Sequence, residues 1–184
     1  MEEALRGSWL AAEFITYYHR ITGRVDVRQL KLADQLNSRA SGFLRLEDAY
    51  VSNIERPAEI IAGYQDAFLR KDHIVAAIVT RQEDALPRDR SYGTYMAPAL
   101  VPVLMTVATF AIRGHMYLSA KMDLRVVLTT GTDDFVTVLD AEMMSAVRKE
   151  ITFQSKAMLV NKAQIEVFWV EEEGQASHGA NPGH

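Results

Sequence analysis

The sequence predicts an all-β protein built from two diverged copies of one β-rich unit, with little helix. Three observations predict it: a collinear internal repeat, strand-like patterning within each copy, and a proline-containing stretch between them. The chain has 184 residues, enough for one large domain or two small ones. The expected organisation is a first β unit over residues 1–80, a linker over 81–102, a second β unit over 103–172 and a disordered tail over 173–184.

The repeat is read first because it fixes the frame for everything else. Ile21, Gly23, Val25 and Val27 lie over Ile112, Gly114, Met116 and Leu118. With one residue inserted, Leu32 and Leu36 fall on Leu124 and Leu128, and Phe43-Leu44-Arg45-Leu46 falls on Phe135-Val136-Thr137-Val138. Both of those runs end in Asp-Ala, at Asp48-Ala49 and Asp140-Ala141. One residue back in register, Ala67-Phe68-Leu69 meets Met158-Leu159-Val160, and Ile74, Ile78 and Val79 meet Ile165, Trp169 and Val170. Few residues are identical. Apolar type, a glycine, a Phe and an Asp-Ala pair nevertheless recur in order with single-residue slips, which chance does not supply.

Each copy then reads element by element. Residues 14–21 and 103–112 are rich in β-branched and aromatic side chains, which suit a pleated, half-buried surface, and each is expected as one strand. Residues 30–37 place apolar side chains at spacings of two and four, compatible with a strand or a helical turn. The counterpart, 122–128, looks more like a strand, so extended structure is expected in both copies, with turns at 37–41 and 129–133. The alternation of Phe43 to Leu46 and of Phe135 to Val138 turns every second side chain to a core. The last segments, 73–80 and 164–170, are short and apolar. Four or five short strands per copy point to a small curved sheet or barrel, with a ten-stranded sandwich as the competing arrangement.

The linker contains Pro87, Pro98 and Pro102, and proline cannot donate to a β-ladder. Its Arg88, Arg90, Tyr92 and Tyr95 combine phosphate-neutralising and base-stacking groups, although Glu83, Asp84 and Asp89 dilute the field, and a solvated connector is the preferred reading.

Composition narrows the function. A net charge of −4 gives no global attraction for nucleic acid or anionic membrane. The absence of cysteine excludes disulfides, thiolate metal sites and cysteine nucleophiles. The N-terminus is acidic, no apolar signal region follows it, and the cytoplasm is the expected location. The apolar run 96–112 carries two prolines and reads as linker plus strand rather than a membrane span.

No phosphate-binding glycine loop, nucleophile elbow or dinucleotide fingerprint is present, and His19, His73, His115, His178 and His184 are scattered. No catalytic residue, metal site or cofactor is therefore expected. Asp48 and Asp140 are the most suggestive acids, yet an aspartate closing a strand ordinarily accepts backbone hydrogen bonds in the turn that follows.

The order of strands, the Asp34-Gln35-Leu36-Asn37 segment and the run Leu69-Arg70-Lys71-Asp72-His73-Ile74 together resemble the Sm-like fold. The chain is also similar to small bacterial domains of unknown function. Lys71 stands where the Sm-like motif has glycine, and the second copy keeps neither polar residue of the Asp34/Asn37 pair. The resemblance implies two tandem small five-stranded barrels and ring-forming oligomers in which edge strands of adjacent barrels pair. It also implies an RNA-facing set of Asn37, Arg70, Lys71 and Asp72 in the first copy.

Edge pairing has an independent motive, because a short open barrel leaves backbone groups unpaired at its rim. The expected function is a non-enzymatic oligomerising scaffold that docks copies of itself or a protein partner. An RNA-binding Sm-like protein and a regulatory protein binding a small ligand between the copies are the alternatives.

Overall fold

The computed structural model describes residues 9–86, 99–118 and 126–170. They form a single antiparallel sheet of ten strands with only short helical segments, so the all-β expectation holds.

The first unit runs β1 (Trp9–Ile15), β2 (His19–Asp26), α1 (Leu32–Asn37), β3 (Phe43–Asn53), β4 (Arg56–Arg70), a 3₁₀ turn (Lys71–His73) and β5 (Ala76–Val79). After a one-turn helix α2 (Gln82–Ala85), the second runs β6 (Ala99–Val107), β7 (Phe110–Leu118) and a helical turn (Val126–Thr130). It ends with β8 (Phe135–Ser145), β9 (Thr152–Asn161), a 3₁₀ turn (Lys162–Gln164) and β10 (Ile165–Val170).

The repeat is plain in the topology. The strand order is β10-β6-β7-β8-β9-β5-β1-β2-β3-β4, the same five-strand order twice, joined where β9 pairs with β5.

The junction also divides the core. On β5, Ala77 and Val79 point into one apolar cluster while Ala76 and Ile78 point into the other. On β9, Ala157 and Leu159 go with the first cluster, Met158 and Val160 with the second. Side chains alternate along a strand, so two strands at the middle of the sheet serve as the wall between two cores. The cluster under the first unit also contains Phe135 and Leu139 from the second. Neither unit completes its core alone.

The shared glycine and Asp-Ala pair have a geometric cause. In β3, Asp48 sits at φ 48°, and in β8, Asp140 sits at φ 43°. At both places the ladder slips by one residue: Thr22 pairs with Tyr50 but Arg24 with Glu47, and Arg113 pairs with Glu142 but His115 with Leu139. Each is a β-bulge, with Gly23 or Gly114 facing the extra residue. A bulge bends its strand sharply and turns the side chains beyond it. Leu44 and Leu46 are buried before the bulge and Ala49 after it, so β3 can follow a curved core.

Several expectations change. Residues 14–21 and 103–112 are not single strands. Each spans a hairpin, because Thr16 bonds back to His19 and Ala108 takes a left-handed φ of 52° between β6 and β7. Residues 32–37 are helical, not extended: Leu32, Ala33 and Leu36 lie on one buried helix face. Val126 to Leu128 of its counterpart are helical too. Asp48 and Asp140 lie within strands rather than at their ends. Residues 99–102, placed in the linker, belong to β6. Pro102 fits there because β10 pairs with β6 only from Val103 onward, so no described neighbour asks for its missing N–H. The tail, His178, His184 and the linker patch of Arg88, Arg90, Tyr92 and Tyr95 lie outside the described residues.

Candidate functional site

Three of the four residues proposed to face RNA lie together beside the β5–β9 junction, while Asn37 is not among the residues that line the cavity there. Arg70, Lys71 and Asp72 line a cavity of about 510 Å³ together with Phe43, Asp134 and Asn161. Their polar groups, however, are engaged. The Lys71 amine, buried in the protein, donates to the carbonyls of Gln35 and Ser38 and closes the C-terminal end of α1. Burial holds its pKa below the ordinary lysine value, with Asp134 opposing that shift.

Arg70 binds Asp72 through Nε at 2.9 Å and Nη2 at 2.8 Å, which lowers the Asp72 pKa. Asn37 accepts from the Phe135 N–H at 2.8 Å, tying α1 to the second unit. Lys162 matches Lys71: its amine donates to Gly131 at 2.9 Å and to Val127 at 3.5 Å, across the equivalent helical turn. The lysine pair escaped the sequence reading, although Lys71 and Lys162 precede the matched Ile74 and Ile165 at the same distance. The lysine at this position thus has a structural task in both units.

A second cavity, about 780 Å³, lies over Gly114. Its charges are matched pairwise: Lys156 meets Asp140 at 3.0 Å, Arg113 meets Glu142 at 3.5 Å, and Gln154 donates to Glu142 at 3.0 Å. His115 lines it and has a buried Nδ1 with no hydrogen-bond partner among the described residues. Without a carboxylate or carbonyl to orient the imidazole, the cluster has only part of an acid–base arrangement.

The most unusual surface is at the two ends of the sheet. β9 and β4 are repeat equivalents, since Val136 pairs with Val160 as Leu44 pairs with Leu69. Residues 157–161 of β9 are all buried, with β5 paired alongside 157–160 and the two core clusters covering the faces. The equivalent stretch of β4, residues 66–70, has no strand beside it on that flank among the described residues, and Phe68 is 69% exposed. β4 also exposes Ile60, Ile61 and Tyr64. The other end repeats the contrast. Ile78 of β5 is 8% exposed, whereas its equivalent on β10, Trp169, is 56% exposed, and Val167 is bare as well.

Among the described residues no helix is long and apolar enough to cross a membrane. Compared with protein families, with curated proteins and with solved structures, the chain matches none of them.

Proposed function

We propose that the chain is a non-enzymatic assembly module of two Sm-like β units, acting as an oligomeric scaffold through the exposed edges of its sheet. One observation carries this reading: β4 and β10 present to solvent the surfaces that their equivalents β9 and β5 bury against each other. A long edge strand with apolar side chains on it is costly to leave unpaired, and natural proteins cover or blunt such edges. Here the chain already contains the pairing that would cover them. The cavity-lining Arg70, Lys71 and Asp72 favour RNA less, because each is bonded within the protein, as is Asn37 nearby.

Absolute mass by light scattering across a concentration series tests the proposal, with ultraviolet absorbance of the same fractions to detect nucleic acid. A mass that is a multiple of the chain, free of nucleic acid, supports it. The mass of one chain at every concentration overturns it. Nucleic acid travelling with the protein moves the reading to RNA binding.

A further inference from the structure

The cavity over Gly114 is lined almost wholly by the second unit, and the repeat shows what differs there. Glu142 stands opposite Gln154 as Tyr50 stands opposite Gly63, and Ala141 opposite Ser155 as Ala49 opposite Tyr64. In the first unit a Cβ on Gly63 would lie 3.3 Å from Cδ1 of Tyr50, so the aromatic ring covers that stretch of the sheet. The second unit has no aromatic side chain at either position. Gln154 donates to Glu142 instead, at 3.0 Å, and the hollow of about 780 Å³ falls within the size range of small-molecule sites. The bulged residue is redirected too. Asp48 pairs with Arg24, whose guanidinium lies over the Trp9 ring at 5.5 Å, whereas Asp140 reaches Lys156 on the neighbouring strand at 3.0 Å.

We propose that this cavity binds a small neutral polyhydroxylated molecule, a mono- or disaccharide. The charged side chains of its wall cancel: Arg113 and Lys156 face Asp140 and Glu142. A charged ligand would meet as much repulsion as attraction there. A hydroxyl group both donates and accepts, so one kind of group serves the carboxylates and the cations alike. The two ion pairs are open to solvent, with Lys156 74% and Arg113 64% exposed, and exposed pairs hold weakly enough to turn toward a ligand. Pro102 brings no N–H and Gly114 no side chain to the lining, which leaves an apolar patch for the C–H groups of a sugar ring. The β-bulge at Asp140 aims its carboxylate at the same wall, a use to which bulges beside binding sites are often put.

Saturation-transfer NMR reads the protons of the small molecule and so tests the full chain at any assembly size. D-glucose and maltose are the neutral probes, each used at up to about 50 mM to detect millimolar affinity. Gluconate and glucosamine match glucose in size and carry one negative or one positive charge. Glucose or maltose is expected to give a signal at least about fivefold stronger than either charged analogue. Glu142→Tyr, which puts the first unit's side chain into the hollow, should abolish it. Arg113→Ala removes an exposed cation, leaves the wall one charge negative and should turn the preference to glucosamine. This second variant keeps the test decisive should Glu142→Tyr fail to fold.

No signal from either neutral sugar would overturn the proposal, as would an equal signal from gluconate or glucosamine with the parent chain. A folded Glu142→Tyr protein that gives the parent's signal would place the sugar elsewhere and overturn this site. An Arg113→Ala protein that still prefers glucose to glucosamine would overturn the charge-balance argument on which the ligand class rests.

Discussion

Replacing each of the two matched glycines by alanine separates their roles. A Cβ on Gly114 would lie 2.6 Å from Val138 Cγ1, 2.7 Å from the Leu139 carbonyl oxygen and 3.2 Å from Ala141 Cα. Two of those three atoms are backbone of the bulged strand, which cannot move without disturbing the ladder. A Cβ on Gly23 meets nothing closer than Leu46 Cβ at 3.3 Å. Overpacking a rigid site costs about 1–3 kcal/mol, whereas glycine within a strand is itself disfavoured against alanine by roughly 0.5–1 kcal/mol.

Gly114→Ala should therefore lose about 2–3 kcal/mol, while Gly23→Ala should stay within about 1 kcal/mol of the parent. For a chain of this size that corresponds to a fall in Tm of about 4–12 °C for Gly114→Ala and less than about 4 °C for Gly23→Ala. Thermal melts followed by circular dichroism, with urea titrations to check that the m-value is unchanged, measure both. Equal losses in the two variants, or a Gly114→Ala protein as stable as the parent, would refute the close-approach argument.

Other expectations follow from single contacts. Asp140→Asn should change stability by less than about 1 kcal/mol, because asparagine also tolerates the left-handed φ and the lost Lys156 pair is exposed. Asp140→Val should cost about 1–2 kcal/mol more than the Asn variant, read by urea denaturation. Lys71→Met should lose roughly 1–3 kcal/mol, because the Gln35 and Ser38 carbonyls lose their donor. The same variant should flatten the alkaline stability profile. The folded Lys71 releases its proton at lower pH than the unfolded chain, whose ordinary value is 10.5, so between those two points the unfolded state holds more protons and the parent gains stability as pH rises. Asn37→Ala should lower stability by about 1–3 kcal/mol by stripping the Phe135 N–H of its acceptor, measurable without any nucleic acid present.

Much of this architecture was legible because its causes are local. The alternation at Phe43 to Leu46 and at Phe135 to Val138 marks two equivalent strands, and the recurring glycine and Asp-Ala pair marks the two bulges. What the glycine and aspartate do was not legible, since a bulge depends on which strand lies opposite. The hairpins at Thr16 and Ala108 were hidden inside apolar runs: a tight turn without Gly-Gly or Asn-Gly leaves an unbroken β-type pattern. The helix at residues 32–37 escaped because six residues give too little periodicity to distinguish a buried turn from a strand. From the sequence Lys71 reads as one of an RNA-facing set, and only the carbonyls of Gln35 and Ser38 beside its amine reveal its structural role. The bare edges were least visible of all, because exposure of Phe68 and Trp169 follows from strand order, which no single segment encodes.

Hydrogen exchange of the full chain at micromolar concentration tests the edge-pairing claim most directly. If copies pair edge to edge, the β4 amides that face away from β3 and the β10 amides that face away from β6 should be protected, approaching the protection of the β9 and β5 amides at the internal junction. Exchange of those outer amides at the rate of an open sheet edge, in a solution where the β5–β9 amides remain protected, would contradict the account.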